Sequence, residues 1–255
     1  MDTFEIKTIT PVHIGSGRFL QSKIEYVFGK ENIGVVDEAK VLNLIGEDKV
    51  QKWVNSIEQG QGLVAFLHGL GIKPSVKQIS SRSIAYQCEV DTAKNLLNLK
   101  EQIYNGQGLP YMPGSSIKGA IRSAIYNSEI RKSDKIINSN DLYERDRLRG
   151  SVLEKKLFGR DPNHDVFRFL QIGDAYFETN STVAINMVNI NIVQNHKAIF
   201  DSSKNQLVEA IGKNKNANFN MKLNIAGMDS NFKYNSIKEF PSAFNSFKSL
   251  LMFRT

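Results

Sequence analysis

The sequence predicts an α+β fold. Three observations lead there. Segments of apolar–polar alternation occur early and late in the chain, and segments of helical period lie between them. The composition, 41% hydrophobic and 23% charged over 255 residues, is that of a chain that buries an ordinary core. Phe4, Ile6, Thr8 and Thr10 alternate with Glu5, Lys7 and Ile9 and predict a first strand, ended by a Gly15-Ser16-Gly17 loop. Residues 24–28 and 33–36 flank Gly29-Lys30-Glu31-Asn32 and predict a hairpin. Asp37 is placed to cap a helix running through Leu44. Val50, Trp53, Val54 and Ile57 predict a second helix, and Leu63, Phe66, Leu67 and Leu70 a third. Residues 82–90 read as a strand and residues 93–104 as a helix.

The second half reads less regularly. Residues 127–165 are polar and heavily charged, with Arg131, Lys132, Arg145, Arg147, Arg149, Lys155, Lys156 and Arg160 among acidic residues. A solvated, helix-rich insertion accounts for that pattern better than a specific binding site does. Residues 167–177 and 182–193 return to strand character. There Val183, Ile185 and Met187 alternate, and Ile190 and Ile192 resume after a bulge. Residues 195–218 are rich in Asn and Lys and are expected to be partly loop. Phe219, Met221, Leu223 and Ile225 alternate again, and Ile237, Phe240, Phe244, Phe247, Leu250 and Leu251 mark a helix.

The charge is more directional. A net charge of +7 and a pI near 9.3 favour an anionic partner, nucleic acid or a membrane surface. The apolar runs are too short to span a bilayer, and no basic–apolar leader opens the chain, so no membrane partner is expected. Cys88 is the only cysteine, which excludes an intramolecular disulfide and agrees with a reducing cytoplasm. His13, His68, His164 and His196 are scattered and argue against a structural zinc. No P-loop, dinucleotide fingerprint or hydrolase elbow is present, and no cofactor or metal is expected.

The most informative run spans residues 109–124. Pro113-Gly114 makes a turn, Ser115 or Ser116 is a suitable helix cap, and Ile117, Ala120, Ile121, Ala124 and Ile125 recur at helical spacing. Lys118 and Arg122 stand at i and i+4 and share a face, with Gly119 between them. A helix start with free N–H groups, hydroxyls and two cations suits a phosphate. Serine caps and surface cations also occur in helices that only pack. Gly119 costs about 1 kcal/mol relative to Ala inside a helix, so either close packing or a closely approaching ligand has to compensate it. A second candidate is His13-Ile14-Gly15-Ser16-Gly17-Arg18, where glycines at a strand end let backbone N–H groups face a phosphate and Ser16 and Arg18 add hydrogen bonds. Alone, that loop reads as a connection with a surface arginine. Tyr111 and Phe19 lie beside the two motifs and are available for base stacking, although most such aromatics belong to the core.

These residues carry a family resemblance. Pro113-Gly114-Ser115-Ser116-Ile117-Lys118-Gly119-Ala120-Ile121-Arg122 resembles the central signature of the RAMP superfamily of CRISPR proteins. Residues 9–17, Ile-Thr-Pro-Val-His-Ile-Gly-Ser-Gly, resemble the first strand and loop of the fifth-subunit family of type III-A Csm effector complexes. Residues 26–37 and 171–177 resemble the family's early hairpin and a strand after the central helix.

The resemblance implies tandem ferredoxin-like (RRM-like) domains with helical insertions. The first is expected over residues 1–165, with the charged insertion at 127–165, and the second, expected to be incomplete, over 166–255. Family members normally continue to a glycine-rich loop near the C-terminus, and no such loop is seen, so truncation is expected. The implied function is a non-catalytic guide-RNA-binding subunit near the 3′ end of the CRISPR RNA. It would cap the backbone filament and assist guide maturation in antiviral defence. Its partners would be CRISPR RNA and other Csm subunits, with target RNA nearby. Lys118, Arg122 and Arg18 would meet phosphates, while His13, Gly15, Ser16, Gly17, Ser115, Ser116 and Gly119 would shape the backbone contacts. Two alternatives stand beside it: another RAMP subunit of a type III complex, and a metal-independent endoribonuclease. The latter would use His13 as base, with Lys118 or Arg122 stabilising the transition state.

Overall fold

The computed structural model of the chain describes residues 2–87, 98–132, 151–159, 161–188, 190–191, 199–200 and 205–224. The elements begin with β1 (Asp2–Lys7), β2 (Gly15–Gln21), β3 (Tyr26–Phe28), β4 (Asn32–Val36), α1 (Glu38–Ile45), α2 (Val50–Glu58), α3 (Leu63–Gly69), α4 (Val76–Ile79), β5 (Ser80–Tyr86), β6 (Asn98–Gln102) and β7 (Tyr111–Met112). They continue with α5 (Gly114–Lys132), α6 (Ser151–Phe158), β8 (Leu170–Ile172), β9 (Ala175–Tyr176), β10 (Thr182–Met187), β11 (Ile190–Asn191), β12 (Ile199–Phe200), β13 (Gln206–Ile211) and β14 (Asn216–Leu223). These form two compact units interleaved in sequence. The larger takes residues 7–111 and 176–217, the smaller residues 1–6, 112–175 and 218–255. Each unit draws residues from both sides of position 165/166.

The larger unit is built on a seven-stranded sheet in the order β2-β6-β13-β10-β5-β4-β3. β6 runs parallel to β13 and β5 parallel to β10, and the remaining pairs are antiparallel. Alternation divides its strands between two cores. Tyr26 joins Leu20, Ile33, Ile84, Leu99 and Leu207 on one face, and Val27 joins Val41, Ile45, Leu63, Leu67 and Ile79 with the helices on the other. The expected hairpin is β3–β4, with Tyr26 opposite Val35. The expected cap is also present: the Asp37 carboxylate accepts from the Lys40 N–H at 3.2 Å at the start of α1.

Two expectations are corrected in this unit and a third is filled in. Residues 98–102, read as the end of a helix, form β6, because Leu99 and Glu101 alternate into the sheet and Leu99 is fully buried between β2 and β13. The stretch 195–218, expected to be partly loop, leaves residues 212–215 outside any strand and also contains β13, whose Leu207, Val208, Ala210 and Ile211 are buried on both faces and so show no alternation. The Gly15-Ser16-Gly17 loop is the beginning of β2, with a register shift against β6 between Gly15 and Phe19. Gly17 holds φ at +87°, which only glycine adopts at no cost, so the glycines build a bulge and not a turn.

The smaller unit packs α5 and α6 with the sheet β1-β14-β8. Its core is Ile125, Leu157, Phe158, Val166, Phe167, Leu170 and Met221, and the Phe4 and Phe219 rings stack 5.9 Å apart beside it. The first strand ends at Lys7, short of the expected Thr10, and Ile9 beyond it is 79% exposed. Among the described residues no helix is long and apolar enough to cross a membrane, and no cluster of three or more His, Cys, Asp and Glu gathers as for a metal. Cys88, His196, the arginines at 145, 147, 149 and 160, and the helix expected over 237–251 lie outside the described residues.

Candidate nucleic-acid interface

The signature run forms α5, which begins at Gly114, one residue after Pro113. Ser115 and Ser116 therefore stand exposed in the first turn and not at the cap. Ile117 and Ile125 are buried and Ile121 is half-buried, but Ala120 and Ala124 face solvent, so the apolar face is narrower than the spacing suggests. The first backbone N–H of the helix is already matched. Gly114 donates to the Asp174 carboxylate at 2.8 Å. A Cβ at Gly114 would lie 2.1 Å from the Ile172 carbonyl oxygen, so only glycine lets the helix start approach the end of β8. Gly119 is different. A Cβ there meets no described atom within 4 Å, so close packing does not account for it and its surface is open.

A cavity of about 520 Å³ opens over this stretch, lined by Ser115, Lys118, Gly119 and Arg122 and, across it, Asp165 and Arg168. The two expected cations have different situations. Lys118 Nζ donates to the Leu170 carbonyl at 2.9 Å, and an ammonium carries three donors, so this bond leaves capacity for an anion. Arg122 donates to Asp165 at 2.7 Å and to Glu154 at 3.2 Å, and its guanidinium lies 4.2 Å from the centroid of the Phe158 ring. Asp165 in turn caps the short turn at 166–169 by accepting from the Phe167 N–H at 2.8 Å. Asp161, also at the cavity, is held below the usual carboxylate range, chiefly by its hydrogen bond with His164. Lys118 and the exposed Arg168 thus supply positive charge there, while Arg122 is matched by two carboxylates.

The second motif lies in the larger unit. His13 Nδ1 donates to the Glu209 carbonyl at 2.6 Å, since a carbonyl only accepts, and Nε2 sits 3.2 Å from where a Gly15 Cβ would be. Ser16 Oγ donates to Glu101 at 3.0 Å and accepts from the Arg18 N–H at 3.1 Å. The Arg18 side chain is 66% exposed and pairs with Glu25 at 3.0 Å. Such a surface pair is worth about 0–1 kcal/mol, so little opposes its exchange for a phosphate.

Beneath this motif lies a buried ionic cluster that sequence reasoning missed. Arg82 donates to both oxygens of Glu209, at 3.2 and 3.0 Å, and to Glu101 at 2.9 Å, and it stacks 4.4 Å above the Tyr104 ring. Tyr104 donates its hydroxyl proton to Glu209, which is fully buried. Burial is the largest single influence on Arg82 and lowers its pKa, but the Glu209 charge, the hydrogen bonds to Glu209 and Glu101 and the Tyr104 phenol together outweigh it, and the guanidinium is held firmly protonated. Burial, then the Glu209 charge, pushes the Tyr104 phenol well above its ordinary range. A signal was available. Glu101 and Glu209 stand two residues beyond Leu99 and Leu207, and Arg82 two before Ile84, so on this strand period the charges continue the face of the apolar core. Asp165 and Asp174 had no such signal, because each acts through a partner distant in sequence, Arg122 and Gly114, and Arg168 faces the signature helix only through the folding of the chain.

The profile of the RAMP superfamily matches residues 5–245. The chain belongs to the RAMP superfamily. Two curated relatives are similar to it, both named CRISPR system Cms protein Csm5. The protein from Methanocaldococcus jannaschii is 29% identical over 68% of this chain and 43% of its own length. The one from Streptococcus thermophilus is 25% identical over 49% of this chain and 38% of its own length. The chain thus spans less than half the length of these relatives. Among solved structures, the crystal structure of T. onnurineus Csm5 aligns with a TM-score of 0.67 at 18% identity, covering 90% of this chain and 70% of that one. A chain of a cryo-EM Csm-crRNA-target RNA ternary complex of a type III-A system aligns with a TM-score of 0.66 at 19% identity, covering 90% and 66%. The α+β architecture is accordingly the ferredoxin-like RAMP fold with helical insertions, as the resemblance implied.

Proposed function

We propose that the chain is a non-catalytic guide-RNA-binding subunit of a type III-A Csm effector complex, acting in the cytoplasm. It would sit near the 3′ end of the guide, cap the backbone filament and assist guide maturation. The observation that carries this reading is similarity to two proteins named Csm5, in a chain whose family signature opens onto a cavity lined by Lys118, Arg122 and Arg168 beside Asp161 and Asp165. Its partners would be CRISPR RNA and other Csm subunits, with target RNA alongside.

Lys118 and Arg168 would meet phosphates from the cavity and Arg18 from the bulged strand. Gly15, Ser16, Gly17, Ser115, Ser116 and Gly119 would let the RNA backbone approach. Arg122 would shape the cavity wall while adding to its field. His13 serves here as a prop, because its ring is bonded to the Glu209 carbonyl and packed against Gly15.

Replacing Lys118 and Arg168 together by Ala is expected to weaken RNA binding alike across unrelated sequences. The dependence of log affinity on log salt should flatten by about 0.7 for each single-strand phosphate that the protein no longer neutralises. Unchanged affinity and slope would overturn the assignment. In the same gel, with EDTA, repeat-spacer RNA should be bound and not cut. Cutting that His13→Ala abolishes would make the chain a processing nuclease instead.

A further inference from the structure

β7 pairs with β9, and the two strands carry one tyrosine each. Tyr111 stands between buried Pro110 and Met112, and Tyr176 between Ala175 and Phe177, which are 0% and 2% exposed. Strand alternation therefore sends both tyrosines to the outer side. Their rings stack, centroids 5.5 Å apart and planes 28° from parallel, and Tyr176 remains 46% exposed. The backbone beneath is fixed. Phe177 donates to the Pro110 carbonyl at 2.9 Å, and Gln102 Nε2 donates to the Tyr111 carbonyl at 3.3 Å.

We propose that Tyr176, backed by Tyr111, is a stacking platform for a nucleobase. The inference deepens the RNA-binding reading above and rests on it. A pre-stacked, outward ring on a pinned strand offers a flat π-face at low entropic cost, and base stacking on aromatics tolerates any sequence. In sequence the pair brackets the family signature: Tyr111 is three residues before Gly114, and Tyr176 is two after Asp174, which caps that same glycine. A subunit that takes hold of RNA without reading its sequence gains from such a surface, since phosphate contacts alone leave the bases unheld.

The test uses the full chain, a fluorescent oligoadenylate, and an abasic ribose-phosphate oligomer of the same length. The wild type should bind the oligoadenylate more tightly. Tyr176→Ala should weaken oligoadenylate binding by about 5- to 150-fold, leave the abasic oligomer unaffected and keep the salt slope. Tyr176→Phe should retain binding, and Tyr176→Leu, which keeps apolar bulk without a π-face, should lose it. This pair carries the test if the Ala variant folds poorly. Equal effects on both oligomers, or none on either, would overturn the platform while leaving the RNA reading standing. Absence of salt-dependent binding to either oligomer would overturn both.

Discussion

Arg122 meets two carboxylates and two aromatic rings at once: Asp165 at 2.7 Å, Glu154 at 3.2 Å, and the Phe158 and Phe167 rings at 4.2 and 5.2 Å. Only a planar, forked cation satisfies that set. A lysine offers a point charge that serves one carboxylate and stacks poorly. Arg122→Lys is therefore expected to cost about 1–2 kcal/mol, read as a melting temperature several degrees lower. Equal melting of the two proteins would show that the fork contributes nothing. Lys118, one helical turn earlier, donates to a backbone carbonyl, and its replacement should be felt in RNA affinity before stability. Sequence spacing placed the two cations on one face, which is correct. It had no means of showing that Asp165 and Glu154, more than thirty residues away, would claim one of them.

At the scale of elements, β5, β6 and β13 bring Arg82, Glu101 and Glu209 to one face, and the bulged start of β2 is tied to that cluster through Ser16. The cluster has a pH signature. The Tyr104 phenol is raised above its ordinary value of 10.0, by burial first and the Glu209 charge second, so the folded state keeps that proton where the unfolded chain loses it. The associated stability is complete below pH 10 and is lost as pH climbs beyond it. Melting temperatures measured between pH 9 and 11 should fall less steeply in Tyr104→Phe than in the wild type. Parallel curves would refute the linkage. Strands and helices with a clear period were legible here: the β3–β4 hairpin, the Asp37 cap and helices α1 to α3 all stand where alternation and capping put them. β6 and β13 were not. A central strand covered on both faces loses its alternation, and its neighbours in the sheet are set by residues far along the chain.

At the scale of the whole molecule, the candidate sites divide between the two compact units, the signature helix in one and the glycine bulge in the other. The resemblance linked the two motifs, while local chemistry alone left each ambiguous. Packing also partitions the chain in a way composition did not reveal, because the polar stretch near 127–165 marks no boundary between the units. A fragment ending at residue 165 would lack β10 and β13, which lie between β6 and β5. It would expose Leu99 and Ile84, both fully buried in the chain, along two open strand edges. Such a fragment is expected to aggregate or to lack cooperative melting, and a soluble, sharply melting fragment would show that its strands re-pair on their own.

The placement of β10 and β13 also sets a timetable for the ribosome. The β2–β6 pair and the β3–β4–β5 meander are made first, yet the two strands that lie between β6 and β5 come only when residues 182–211 leave the exit tunnel. At about 5–20 residues per second, the nascent chain carries the edges of β6 and β5 without their partner strands for several seconds. Its yield in a cell should therefore depend on chaperones and translation speed more than its finished stability would suggest.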